Sequence, residues 1–262
     1  MRRNSGSAAV TNTTRAELIP RPVFLCVSAL FFAASVAATV YFCRSMAGGM
    51  DMPGGWTMSM AWMRMPGQSW PAAAAMFMSM WLAMMVAMML PAVAPMLSRA
   101  DRPLWVACAY FLVWTAVGVP IFAIGILLAH AAMRWESFSR FIPPLAGISL
   151  LIAGAFQFTR WKISRLSHCC NPLNCGASPA KGTRQAAIQQ GIRFGRSCVI
   201  CCSGFMVGLL VLGMMNLYVI ATMTMMIALE RLSPRHEMVA RVFGIGLIGL
   251  GLFLIARAAK LA

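Results

Sequence analysis

Long apolar runs separated by short, basic connections dominate the chain. Six of them are long enough to cross about 30 Å of hydrocarbon as helices: Pro22–Cys43, Ala72–Leu97, Leu104–Ala129, Ile142–Thr159, Val199–Ala228 and Val239–Ala256. None shows the apolar–polar alternation of a membrane β-strand, so helices are the remaining way to satisfy a backbone in lipid. The pattern predicts an all-α fold, a polytopic transmembrane bundle of about six helices. The fifth run is too long for one straight crossing, since about 30 residues at 1.5 Å each reach about 45 Å. It is expected to tilt, bend or extend into water at one end. The first run exceeds the apolar core of a signal peptide and reads as an uncleaved anchor. Residues 1–21 then form a disordered cytoplasmic tail, and residues 22–262 a single integral membrane domain.

Composition supports lipid as the solvent. Of 262 residues, 60% are hydrophobic and 11% charged, against about 25% charged in an ordinary soluble domain. The net charge of +16 raises the question of nucleic acid, but its distribution answers it. With the N-terminus inside and six crossings, fifteen Lys and Arg fall on inner segments. Seven fall outside: Arg44, Arg64, Arg134, Arg140, Arg231, Arg235 and Arg241. That bias is a topology signal and an anchor for anionic lipid, not a nucleic-acid surface. It predicts both termini in the cytoplasm and a multi-pass protein of the bacterial inner membrane.

Methionine changes the picture next. The chain holds 24 Met, and fifteen of them lie between Met46 and Met96. The expected outer loop carries Met50, Met52, Met58, Met60, Met63 and Met65 among Trp56, Trp62 and Trp70. A thioether is a soft, neutral donor that suits Cu(I) and needs no deprotonation. It also survives an oxidising compartment in which a cysteine cluster risks disulfide formation. The competing reading is a loop whose Met and Trp dip into the headgroup layer. On the second run, Met78, Met85, Met89 and Met96 project within about 40° of one another on an ideal helix. They form a stripe suited to passing a soft cation, although Met also fills gaps in helix packing.

Six of the nine Cys are expected at the inner face. His168, Cys169, Cys170 and Cys175 lie in the inner loop, while Cys198, Cys201 and Cys202 share one helical face at the start of the fifth run. Such clusters in a reducing compartment bind metal, carry out thiol redox chemistry, or simply pack. Met215 and Asn216 interrupt the same run, and Asn216 projects onto the face of Cys198 and Cys202. An amide inside lipid needs a partner in the bundle. No P-loop is present. The three His are far apart in sequence and the six acidic residues do not pair within the membrane, so a non-enzymatic role is expected.

Two segments carry a family resemblance. Trp81-Leu-Ala-Met-Met-Val-Ala-Met-Met-Leu-Pro91, with Pro95-Met96, is one. Cys198-Val-Ile-Cys-Cys-Ser-Gly-Phe-Met206, followed by Gly213-Met-Met-Asn-Leu217 and Glu230-Arg231, is the other. Over roughly Trp70 to Pro234 the chain resembles a bacterial family of predicted metal-binding integral membrane proteins, sometimes labelled copper chaperones. Ser203 stands where the family usually has Trp after the paired Cys. The resemblance and the residues together suggest capture, relay or delivery of Cu(I) through Met and Cys. The ion's partners would be a copper-dependent enzyme or a periplasmic copper carrier. A membrane thiol-disulfide oxidoreductase and a structural subunit without metal are the alternatives.

Overall fold

The computed structural model describes residues 21–46, 48–65, 67–160, 162, 183–233 and 235–261. The expected N-terminal tail, except Arg21, which opens the first helix, and the His168, Cys169, Cys170 and Cys175 group lie outside them. The described helices are α1 (Arg21–Ser45), α2 (Trp70–Leu97), α3 (Pro103–Arg134), α4 (Glu136–Gln157), α5 (Arg184–Leu212), α6 (Leu217–Leu232) and α7 (His236–Leu261). Six of these, all but α6, are long and apolar enough to cross a membrane, which matches a multi-pass membrane protein.

The long fifth run resolves differently from its expectation. It neither tilts nor bends as one helix but breaks at Gly213, whose φ of +108° is a conformation that favours glycine. The chain then reverses. Asn216 caps α6, its Oδ1 accepting hydrogen bonds from the backbone N–H of Tyr218 and Val219. Arg231 returns to the level of Cys198, and Met223 to that of Gly208. The Asn216 side chain is therefore an exposed turn cap, not an amide buried in mid-bundle. In the other direction α5 begins at Arg184, so Arg193 and Arg196 are helical and not part of a loop.

Close helix approaches fix the directions of the remaining elements. A methyl group on Gly191 would lie 2.4 Å from the Val106 carbonyl, and one on Gly195 2.8 Å from Val113, so α3 and α5 run parallel. Gly147 meets Gly251 and Gly154 meets Gly244, setting α4 antiparallel to α7 through a seam where only glycine fits. Trp81 donates from Nε1 to the Trp114 carbonyl at 2.9 Å and seals α2 against α3. The seven described helices alternate in direction along the chain, so the start of α1 and the end of α7 lie at opposite ends of the bundle.

The expected all-α fold carries one small exception. Within the connection between α1 and α2, β1 (Gly49–Met52) and β2 (Trp56–Ser59) pair antiparallel, with Met50 opposite Met58. Gly54 and Gly55, both at positive φ, make the turn. The hairpin is tied to α4 by Trp56 Nε1 donating to the Ser139 carbonyl at 3.1 Å and by Ser139 Oγ donating to the Pro53 carbonyl at 2.8 Å. The core centres on α2. Phe77, Met80, Trp81, Met84, Met85, Met88, Met89, Leu90 and Val93 of that helix are all buried.

Candidate metal site

Three sulfur atoms from two distant segments meet near one end of the bundle. Cys198 and Cys202, four residues apart on α5, present their thiols on one face, with Sγ atoms 3.9 Å apart. Met89 of α2 places its Sδ 3.9 Å from Cys198 Sγ. All three side chains are buried, and so is Cys201 beside them. A metal in the middle of a trigonal sulfur site, with bonds of about 2.3 Å, would need sulfurs about 4.0 Å apart. The two edges formed with Cys198 have that length. No described cysteine forms a disulfide.

Polar groups surround the sulfurs. Arg231, near the end of α6, sets its Nη2 2.8 Å from Cys198 Sγ and 3.8 Å from Cys202 Sγ. The hydroxyl of Tyr110 on α3 lies 2.9 Å from Cys198 Sγ. Beside Arg231 in sequence, Glu230 pairs with the fully buried Lys162, Oε1 to Nζ at 2.5 Å. Lys162 also donates to Gln157 Oε1, and its ammonium lies 4.9 Å from the Phe205 ring centre. Ionisable groups at such depth are costly unless paired and mark functional sites in membrane bundles. Met89 is eight residues from the end of α2 and Tyr110 seven from the start of α3, so the cluster lies roughly 10 Å inside the helix ends.

Of the residues expected to bind metal, Met89, Cys198 and Cys202 are brought together. Met85 is buried on α2, while Met78 and Met96 pack against the core as partly buried side chains. The expected stripe is thus part of a broader buried face that also includes Met80, Met84 and Met88. Met52 and Met58 pack under the hairpin against Ala129 and Ala132. Met50 is exposed on the hairpin. Met60, Met63 and Met65 line a cavity at the opposite end of the bundle. Met215 is a partly buried member of the core, and Asn216 is the cap described above. Both belong to the α5–α6 turn, seventeen and eighteen residues along the chain from Cys198.

Tyr110 and Lys162 complete the cluster without having been singled out from the sequence, and Arg231 does so although it had been noted only as a motif residue and a loop charge. Tyr110 carried a faint signal, being a lone phenol early in an apolar run. Arg231 was expected at the outer face because α5 and α6 read as one crossing.

A model of the copper chaperone family matches residues 78–254, more than half of the chain. The matched stretch contains Met89, Tyr110, Lys162, Cys198, Cys202 and Arg231. No curated protein and no solved structure matches the chain.

Proposed function

Since this chain belongs to the copper chaperone family, we propose that it is a membrane-embedded, non-catalytic carrier that holds Cu(I) between Met89, Cys198 and Cys202. The observation that carries this reading is the meeting of those three sulfurs beside Arg231. One neutral thioether with two thiols is a soft donor set, matched to Cu(I) and poor for Mg²⁺ or Ca²⁺.

Charge supports the monovalent ion. Thiols bound to a metal are deprotonated, so two thiolates and one Cu(I) carry a single net negative charge. Among the described residues Lys162 and Glu230 cancel and Arg231 supplies one positive charge, which balances the loaded cluster. A divalent ion in the same place would leave a net positive charge in a poorly hydrated interior, where uncompensated charge is expensive. A disulfide between Cys198 and Cys202, as thiol redox chemistry at this pair would need, is disfavoured. Cβ atoms four residues apart on a helix are about 5–6 Å from each other, whereas a disulfide needs about 3.8 Å.

Buried Met80, Met84 and Met88 succeed one another every four residues along α2 toward the cluster. We assign them the relay role, each step rising about 6 Å. In a bacterial inner membrane the cluster would lie toward the cytoplasm. Seven alternating helices leave only Arg44, Arg64, Arg134, Arg140, Arg257 and Lys260 on the other side. The other described Lys and Arg, from Arg21 to Arg241, fall on the cluster side, an inward bias of positive charge. The C-terminus then faces outward. A copper-dependent enzyme or a periplasmic copper carrier would be the exchange partner.

The test is Cu(I) binding by purified protein in detergent, measured under reducing conditions against a chromophoric chelator. Cys198→Ser with Cys202→Ser should remove the tightest copper, and Met89→Leu should weaken it while keeping the side chain's volume. Unchanged tight copper in the double serine variant would sink the reading.

A further inference from the structure

A second group of sulfurs lies at the opposite end of the bundle, where the end of α1, the chain after β2 and the first turns of α2 converge. Six thioethers line one cavity there: Met46, Met60, Met63, Met65, Met76 and Met80. We propose that this cavity is a separate Cu(I) loading site built from thioethers, which feeds the thiolate site through α2. The proposal deepens the copper reading and takes from it the identity of the ion.

Neither a carboxylate nor an imidazole nor a thiol lines the cavity. Its donors are neutral, so hard and borderline cations lack the charge and the nitrogen or oxygen ligands they prefer, while a soft monovalent cation does not. The polar lining consists of Arg64 and Gln68. Arg64 is held 5.2 Å from the Trp70 ring. Gln68 donates from Nε2 toward Met76 Sδ at 3.7 Å and so positions one of the sulfurs.

Packing alone does not account for this arrangement. Where Met fills the interior of α2 it closes the space: Met84, Met85, Met88 and Met89 are at most 1% exposed. At the cavity, Met60, Met63 and Met76 are only partly buried and Met65 is exposed, so sulfur borders an open space. Met80 belongs to both groups, since it lines the cavity and is itself buried. From Met80 to Met89 is nine residues, about 14 Å along the helix. Thioethers attract a cation less strongly than thiolates, which carry charge. The step from the cavity to Cys198 and Cys202 is therefore downhill.

The experiment uses the full chain with Cys198→Ser and Cys202→Ser, titrated with Ag(I) as a stable, soft, monovalent probe and followed by tryptophan fluorescence. Trp62 and Trp70 line the cavity, so Ag(I) should quench them and saturate at one equivalent. Adding Met60→Leu, Met63→Leu, Met76→Leu and Met80→Leu should weaken that binding at least tenfold, whereas Met50→Leu on the exposed hairpin should not. The single change Met76→Leu, the mildest, should give a smaller loss in the same direction and guards against misfolding of the fourfold variant. Unchanged titration in the fourfold variant, or no equivalent at all in the double serine background, overturns the loading site. Wild-type protein that still binds tight Cu(I) in either case leaves the thiolate site standing.

Discussion

Arg231→Gln isolates the electrostatic half of the copper reading. The substitution keeps polarity and much of the volume, leaves all three sulfurs in place, and removes one positive charge. That charge sits 2.8 Å from Cys198 Sγ and 3.8 Å from Cys202 Sγ. A bare Coulomb estimate at about 3 Å with an effective dielectric of 20 gives about 5 kcal/mol, an upper bound because water repairs part of the loss. Hydrogen bonds to charged groups are worth about 1.5–3 kcal/mol. At about 1.4 kcal/mol per tenfold, Cu(I) affinity should fall between about tenfold and about a hundredfold. Stoichiometry should stay the same, because the ligands remain. Arg231→Lys keeps the charge without the fork of donors, and its affinity should fall between the two. Competition with a Cu(I) chelator, in detergent and without oxygen, measures all three proteins. If Arg231→Gln bound copper as tightly as wild type while Cys198→Ser did not, charge compensation by the arginine would be refuted.

Three further outcomes follow from the same geometry. Breaking the buried pair by Lys162→Met should cost about 3–5 kcal/mol, because buried Glu230 would lose the Lys162 ammonium; thermal unfolding in detergent should show Glu230→Leu restoring much of that loss in the double variant. Asn216→Ala should cost about 1 kcal/mol by removing the α6 cap and should leave copper stoichiometry unchanged, so any loss of bound copper would contradict its role as a cap. Reporter fusions at the two chain ends should respond from opposite sides of the membrane, and two reporters on one side would disprove seven alternating crossings.

The proposal of soft-sulfur chemistry starts from the sequence because donor type is a property of the residue. Clustered Met with few His, and Cys spaced by three and four on a helix, pointed toward Cu(I) before any contact was known. Met89, Cys198 and Cys202 were in the expected set for that reason. Helical projection handled single elements well, but it says nothing about how two helices are rotated against each other. Tyr110 and Arg231 reach Cys198 only because Gly191 and Gly195 let α3 pack closely on α5 and because α6 folds back. The cavity methionines illustrate the same gap. Met46 and Met76 lie thirty residues apart, and no pattern along the chain announces that they line one space.

Hydropathy by itself determined the helical class and the six spans long and apolar enough to cross a membrane, since each span is recorded locally in consecutive residues. Tertiary structure decided the rest. An apolar run reads alike whether its chain crosses once or turns on Gly213 and returns, because both halves face the same surroundings; only packing of α6 against α5 separates the two. That reversal carries Arg231 to the sulfurs and the C-terminus to the far end of the bundle. Which side chains share a site thus depended on rotations and close approaches between helices, quantities that no single stretch of sequence contains.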